Sequence, residues 1–311
     1  MTLDPQVKAF LDYLAAKGVP PMHTLSPEQN RLALKRSINR TNIPAPTVAK
    51  VQDRWIPVKD GEIKIRIYSP DGEGPWPILV YFHGGGFIMG DLDTVDAPLR
   101  ALTDAVHCIV ISVNYRLAPE YKFPTAVEDC YTAIKWAFEH AEYFGGDPAR
   151  IATAGDSAGG NLATVMALLA RERGGPSLCA QVLLYPCTDQ LNDYPSHHEF
   201  AAGYFITLKD IKQIQKCYFM TEKDKANIYA SPLLVEDLSC LPQALIVTAG
   251  YDPLHDEGEA YANRLGEAGV KVDYFCYDGM IHGFFGMAGI FDEGKALIEQ
   301  VANYLKNAFT C

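Results

Sequence analysis

Gly155-Asp156-Ser157-Ala158-Gly159 is the stretch that decides the fold, a G-x-S-x-G pentapeptide set between two regular elements. Residues 149–154 before it read as a short buried strand, and apolar residues recur at helical spacing through 160–173 after it. This context puts the serine on a sharp turn between a strand and a helix, with its hydroxyl exposed and the helix N-terminus behind it. Because such small residues also occur at ordinary helix starts, the motif indicates chemistry only if Ser157 has partners elsewhere in the chain.

Length and charge limit the class of protein. The chain has 311 residues and a mass of 34.3 kDa, enough for one α/β domain with insertions. Its 27 basic and 38 acidic residues give a formal net charge of -11, which repels phosphate backbones and anionic membrane surfaces. We therefore expect no nucleic-acid partner.

Cysteine usage and hydropathy predict a reducing, soluble setting. The eight cysteines contain no C-x-x-C pair, so they fit neither a zinc site nor a dense disulfide framework. No run reaches the roughly 18 apolar residues that a membrane span needs, and the N-terminus lacks a basic segment before an apolar one. We expect a cytoplasmic protein with no membrane insertion, and a homodimer is an open alternative to a monomer.

Strands and helices alternate along most of the chain. Two amphipathic helices, 5–17 and 27–37, precede a hairpin that turns at Asp60-Gly61. Further strands are predicted at 75–82, 108–113, 180–184, 245–249 and 270–277, with helices between them. This rhythm is typical of a doubly wound, mostly parallel sheet with helices on both faces, whose ligands bind beyond the carboxyl ends of the strands.

Residues 187–232 interrupt that rhythm. They contain no predicted strand but do contain a helix at 208–218, and we interpret them as an insertion that covers the site. The predicted division is therefore residues 1–45 as N-terminal cap helices, 46–186 and 233–311 as the catalytic domain, and 187–232 as a cap insertion.

Ser157 has two candidate partners at predicted strand ends. A serine hydroxyl needs a histidine to accept its proton and a carboxylate to hold that histidine in the right tautomer. Asp252 follows the strand that ends at Ala249, and His282 follows the strand that ends near Tyr277. Asp278 is the rival carboxylate, although it precedes His282 by only four residues and would have to fold back on it. His255 and Asp256 open a predicted helix and are expected to be a surface residue and a cap.

The glycine run after the predicted strand 75–82 supplies backbone donors. His83-Gly84-Gly85-Gly86 permits successive N–H groups to turn toward one point, as stabilisation of an oxyanion requires. The amide of Ala158, directly after the serine, completes the predicted hole. No Lys-Ser/Thr pair follows the glycines, which excludes a P-loop.

These motifs together resemble the hormone-sensitive lipase-like esterases of the α/β-hydrolase fold, in particular their bacterial and archaeal members. The resemblance covers residues 50–311 and rests on five segments: His83-Gly84-Gly85-Gly86-Phe87, Asn114-Tyr115-Arg116-Leu117-Ala118-Pro119-Glu120, Gly155-Asp156-Ser157-Ala158-Gly159-Gly160, Asp252-Pro253-Leu254 and His282-Gly283-Phe284. It implies Ser157 as nucleophile, His282 as general base and acid, and Asp252 as its orienting carboxylate. It also implies Gly85, Gly86 and Ala158 as the main oxyanion donors, with the part of Gly84 left open.

The function expected from this resemblance is hydrolysis of short- to medium-chain carboxylic esters, with no metal and no cofactor. The partner is then a small-molecule ester, and Phe87, Tyr204 and Phe205 are candidates for lining its pocket. An amide, arylacetamide or formamide hydrolase on the same residues is the first alternative, because the triad does not distinguish the two leaving groups. A ligand receptor without catalysis is a remote alternative, since Ser157, Asp252 and His282 are all present.

Overall fold

An eight-stranded sheet runs through the centre of the protein in a computed structural model, which describes residues 2–310 apart from the side chain of residue 39. Its strands are β1 (Lys50–Val58), β2 (Gly61–Ser69), β3 (Trp76–Phe82), β4 (Ile109–Asn114), β5 (Gly146–Asp156), β6 (Leu178–Leu184), β7 (Gln243–Tyr251) and β8 (Val272–Ile281). Their spatial order is β1-β2-β4-β3-β5-β6-β7-β8. β2 pairs antiparallel with both β1 and β4, and all other neighbours are parallel. The expected doubly wound, mostly parallel sheet is confirmed.

Helices cover both faces of this sheet. They are α1 (Pro5–Ala16), α2 (Pro27–Thr41), α3 (Asp96–Val106), α4 (Thr125–Glu139), α5 (Ala158–Glu172), α6 (Pro195–Glu199), α7 (Leu208–Tyr218), α8 (His255–Glu267) and α9 (Asp292–Ala308). The continuous apolar sequence of β3 fits its central position, because side chains on both of its faces are buried. Ile78 and Val80 join the core under α4, α5 and α8, while Leu79 and Tyr81 join the core under α3 and α9.

The insertion, residues 187–232, carries α6 and α7 and no strand, and all of it lies within the described residues. Its helix α7 is joined to the N-terminal segment through Asp210, which is buried. This carboxylate accepts hydrogen bonds from the Thr207 backbone and hydroxyl at the start of α7. It also contacts the backbone N–H of His23 at 2.7 Å and the His23 ring at 2.8 Å. One carboxylate thus links the two segments that the sequence assigned to a cap.

Both ends of the insertion contact the first turn of α5. The side-chain amide of Asn161 donates to the carbonyl of Cys187 at 2.8 Å and to that of Ala230 at 2.9 Å. Asn161 is fully buried, so these two carbonyls have a partner where no water reaches. The position of the insertion is therefore tied to the helix that begins directly after Ser157.

Cys108, Cys130, Cys187 and Cys240 are free thiols, and Cys311 lies outside the described residues. Within residues 2–310, no helix combines the length and apolar character required to cross a bilayer.

Candidate active site

Ser157 lies on a strained turn between β5 and α5. Its backbone adopts φ 55° and ψ -119°, a conformation that costs about 1–3 kcal/mol for a residue with a side chain. Gly155 and Gly159 make the turn possible, because a Cβ on Gly155 would overlap the carbonyl of Gly159, and one on Gly159 would overlap the carbonyl of Phe82. The N–H of Ser157 donates to Leu184 at the end of β6, at 2.8 Å. We call residues 155–159 the serine turn.

The other two predicted partners meet Ser157 at the same edge of the sheet. His282 follows β8, and its Nε2 lies 2.7 Å from the Oγ of Ser157. Asp252 follows β7, and its Oδ2 lies 2.7 Å from Nδ1 of His282. The second oxygen of Asp252 accepts the N–H of Leu254 at 2.9 Å, which fixes the carboxylate. The structure thus joins these three side chains in one hydrogen-bonded series.

The rival carboxylate lies elsewhere. Asp278 is exposed on β8, whereas Asp252 is fully buried against His282. The expectation for His255 and Asp256 is wrong in part, because neither caps α8. Asp256 instead accepts the backbone N–H of Ser196 in the insertion and contacts the ring of His255 at 2.9 Å.

Burial and the neighbouring carboxylate set the charge of His282. Burial by itself lowers the pKa of His282, but the Asp252 carboxylate outweighs it, so the pKa is raised above its ordinary value of 6.5. The ring of Tyr185 packs against the imidazole with centroids 4.9 Å apart. The environment therefore favours the protonated imidazole that forms when a serine hydroxyl gives up its proton.

The glycine loop, residues 83–89, brings backbone donors next to the serine turn. Among the described residues, neither the amide of Gly85 nor that of Gly86 donates a hydrogen bond. The amide of Ala158 opens α5, where first-turn N–H groups have no partner inside the helix. Three amides are therefore available to a ligand.

Gly84, whose part the sequence left open, does not share that role. Its N–H donates to Oδ1 of Asp156 at 2.8 Å. An N–H carries a single proton, so this bond removes the amide from the hole and makes it a tie between the glycine loop and the serine turn.

The three predicted pocket residues have different environments. Phe87 is buried and stacks on Tyr218 of α7, with ring centroids 3.9 Å apart. Phe87 packs against α7 and does not line an open surface, although the sequence analysis placed it in the substrate pocket. Tyr204 packs on Tyr251 at 5.0 Å. Phe205 is 42% exposed and lies against Phe10 of α1, so it remains a pocket candidate.

A buried glutamate near the site was not found from the sequence. Glu257, in the first turn of α8, accepts the N–H groups of Thr188 and Asp189 at the start of the insertion, at 2.6 and 3.2 Å. It also faces the ring of His197 at 3.3 Å. Burial raises the pKa of Glu257 above its usual range. Its position five residues after Asp252, in the first turn of the next helix, was the signal that could have singled it out.

Across residues 2–310, His, Cys, Asp and Glu side chains form no cluster of three or more with the geometry of a metal site.

Comparison with known proteins gives the family. The model of a family described as having the alpha/beta hydrolase fold matches residues 79–286. The chain belongs to this family, in its hormone-sensitive lipase-like branch. An arylesterase of Saccharolobus solfataricus is 42% identical over 92% of this chain and 93% of its own. The carboxylic ester hydrolase LipN of Mycobacterium tuberculosis is 43% identical over 92% of this chain and 78% of its own.

A solved structure extends the likeness to the whole chain of this α/β-hydrolase. An ester hydrolase from the metagenome of Lake Arreo, complexed with a bipyridine phosphonate derivative, superimposes with a TM-score of 0.96. It is 38% identical, and the match covers 100% of both chains. The chain is accordingly a carboxylic ester hydrolase of the α/β-hydrolase family.

Proposed function

We propose that the protein hydrolyses short- to medium-chain carboxylic esters through an acyl-enzyme on Ser157. The observation that carries this proposal is the hydrogen-bonded series from Ser157 through His282 to Asp252, with both intervening distances at 2.7 Å. This is the geometry that a weak nucleophile needs, because the proton acceptor and the group that orients it are already in place.

The reaction follows from these contacts. Oγ of Ser157 attacks the ester carbonyl while its proton passes to Nε2 of His282, and Asp252 keeps the proton of Nδ1 in place. The carbonyl oxygen becomes negative and accepts hydrogen bonds from the free amides of Gly85, Gly86 and Ala158. The C–O bond then breaks, and the alcohol leaves with the proton from His282.

Water completes the cycle by the same route. His282 takes a proton from water, whose oxygen attacks the acyl carbon, and the second oxyanion occupies the same amides. Collapse of this intermediate returns the proton to Oγ of Ser157 and releases the carboxylic acid.

The size of the substrate is set by what lies over the site. We propose that residues 1–45 and 187–232 form a cap, supported by the Asp210–His23 contact and by Phe10 against Phe205. Ile214 of α7 lies directly over Gly86 in the glycine loop. A site roofed in this way favours short and medium acyl chains over long ones.

Two measurements test the proposal. Ser157→Ala should abolish turnover of p-nitrophenyl esters without changing the circular dichroism spectrum, and a phosphonate probe should add mass to Ser157 alone. Near-normal turnover by Ser157→Ala would remove Ser157 as the nucleophile.

A panel that pairs each p-nitrophenyl ester with the matching anilide tests the leaving group. We expect faster turnover of every ester, with the acyl-chain optimum at short to medium length. Faster turnover of the anilides would instead make the protein an amidase.

A further inference from the structure

Asp156, the residue before Ser157, carries a carboxylate that the hydrolytic steps above do not use. Its Oδ1 accepts two hydrogen bonds, from the hydroxyl of Tyr81 and from the N–H of Gly84, each at 2.8 Å. Tyr81 belongs to β3, and Gly84 precedes the two glycines whose amides are free. A single oxygen therefore connects the serine turn to the strand and the loop that carry the oxyanion donors.

This contact controls where the free amides lie. Gly84 is bonded directly to Gly85, so a shift of the Gly84 amide moves the donors that follow it. Displacing a preorganised oxyanion donor by a fraction of an ångström weakens the stabilisation it gives to the developing charge. Asp156 thus holds the donors in register with the Oγ of Ser157, although it does not touch the reacting atoms.

The hydration that Asp156 has lost makes its two hydrogen bonds important. Loss of hydration raises the pKa of Asp156 above its ordinary value of 3.8, and the hydrogen bonds from Tyr81 and Gly84 oppose that rise. The carboxylate therefore depends on these two donors, and the Gly84 amide is held by a charged acceptor.

We propose that Asp156 is a positioning residue for the hydrolysis described above: it holds the glycine loop against the serine turn through Gly84, and so keeps the amides of Gly85 and Gly86 in register with the Oγ of Ser157. This inference rests on the proposed roles of Ser157 and of these amides.

Asp156→Asn is the conservative variant. The carbonyl oxygen of asparagine can still accept from Tyr81 and Gly84, so the oxyanion donors should keep their positions. We expect kcat and KM within about 3-fold of the wild-type values. A large loss of kcat in Asp156→Asn would refute the tie, because an acceptor for Gly84 is still present.

Asp189 is the matched control position. Asp189 is also a buried aspartate that accepts backbone N–H groups and a tyrosine hydroxyl, here from Leu191, Asn192 and Tyr194, but it lies in the insertion. We expect the kcat values of Asp189→Asn and Asp189→Ala to differ by less than about 3-fold, because no oxyanion donor adjoins the N–H groups that Asp189 holds. A ratio as large as that between Asp156→Asn and Asp156→Ala would refute the role assigned to Asp156.

Asp156→Ala tests the tie to Gly84. We expect kcat to fall about 10- to 100-fold relative to Asp156→Asn, with KM within about 3-fold, because the donors lose their register. Equal kcat values in the two variants would refute the tie. If Asp156→Ala does not fold, phosphonylation rates answer the same question, since Asp156→Asn should react with a p-nitrophenyl phosphonate as fast as the wild type. A large loss in that rate would mean that the amide side chain does not hold the loop as proposed.

Ser157→Ala keeps the two proposals distinguishable. Retained turnover in Ser157→Ala would overturn the proposed function itself. An inactive Ser157→Ala together with equal kcat values in Asp156→Asn and Asp156→Ala would overturn only the inference about Asp156.

Discussion

Gly86→Ala should strain the contact between the glycine loop and the insertion. Gly86 has φ 62°, where a residue with a Cβ is disfavoured by about 1–2 kcal/mol. Its Cβ would also lie 2.6 Å from Cδ1 and 2.9 Å from Cγ1 of Ile214 on α7. Carbon atoms in contact prefer about 3.5–4.0 Å, so the methyl group overlaps the isoleucine by about 1 Å. Overpacking of this kind costs about 1–3 kcal/mol, which gives about 2–5 kcal/mol in all.

Ile214→Ala should remove the part of that cost that comes from overpacking. By itself this change loses about 1–2 kcal/mol, because the isoleucine is only partly buried. In Gly86→Ala/Ile214→Ala the new methyl group occupies space that the isoleucine has left, so only the backbone strain and the lost burial remain. We expect a favourable coupling energy of about 1–3 kcal/mol between the two positions.

Urea unfolding of the wild type, both single variants and the double variant measures this coupling. Turnover of p-nitrophenyl acetate should follow the same order, since alanine keeps the amide of residue 86. Free energies of unfolding that add within about 0.5 kcal/mol would show that Ile214 does not press on Gly86, and would contradict the position given to α7.

The remaining predictions concern the triad, pH and the cap. Asp252→Asn should lower kcat about 10⁴-fold by leaving His282 in the wrong tautomer. Asp278→Asn should keep kcat near the wild-type value. A larger loss of kcat in Asp278→Asn than in Asp252→Asn would mean that Asp278, and not Asp252, orients His282. Because the pKa of His282 is raised and the base must be neutral, kcat/KM should fall as the pH drops through a value above 6.5 and be level at higher pH; a midpoint below 6.5 would contradict this. Asp210→Ala should destabilise the insertion by about 1–3 kcal/mol through the unpaired donors it leaves, seen as faster limited proteolysis within residues 187–232. Unchanged proteolysis would show that the contact with His23 does not hold the two segments together.

The secondary structure could be predicted largely from local patterns. The helix expected at 208–218 coincides with α7, and the buried strand before Ser157 coincides with the end of β5. The partners of Ser157 could be predicted because parallel strands deliver their carboxyl ends to one edge, so a residue after β7 meets one after β8.

What the sequence did not reveal depends on contacts between distant residues. The three glycines from Gly84 to Gly86 cannot be told apart in the sequence. Only the amide of Gly84 donates to the carboxylate of Asp156, which lies 72 positions further along the chain. Phe87 follows the glycines and looked like a pocket residue, yet Tyr218, far along the chain, stacks on it. The spatial order β2-β4-β3 could not be predicted either, because the hydrophobic pattern of a strand does not indicate which strand pairs with it.

The hydrogen bonds of Asn161 affect how freely the sequence of the insertion can vary. Because its amide binds the carbonyls of Cys187 and Ala230, the two ends of a long segment are held at fixed points on a buried helix. Both contacts are to backbone oxygens, so they place no demand on the side chains between them. A segment from a homologue grafted between these points can change which esters are accepted while Ser157 stays where it is. The covering of the site can therefore diversify independently of the catalytic centre.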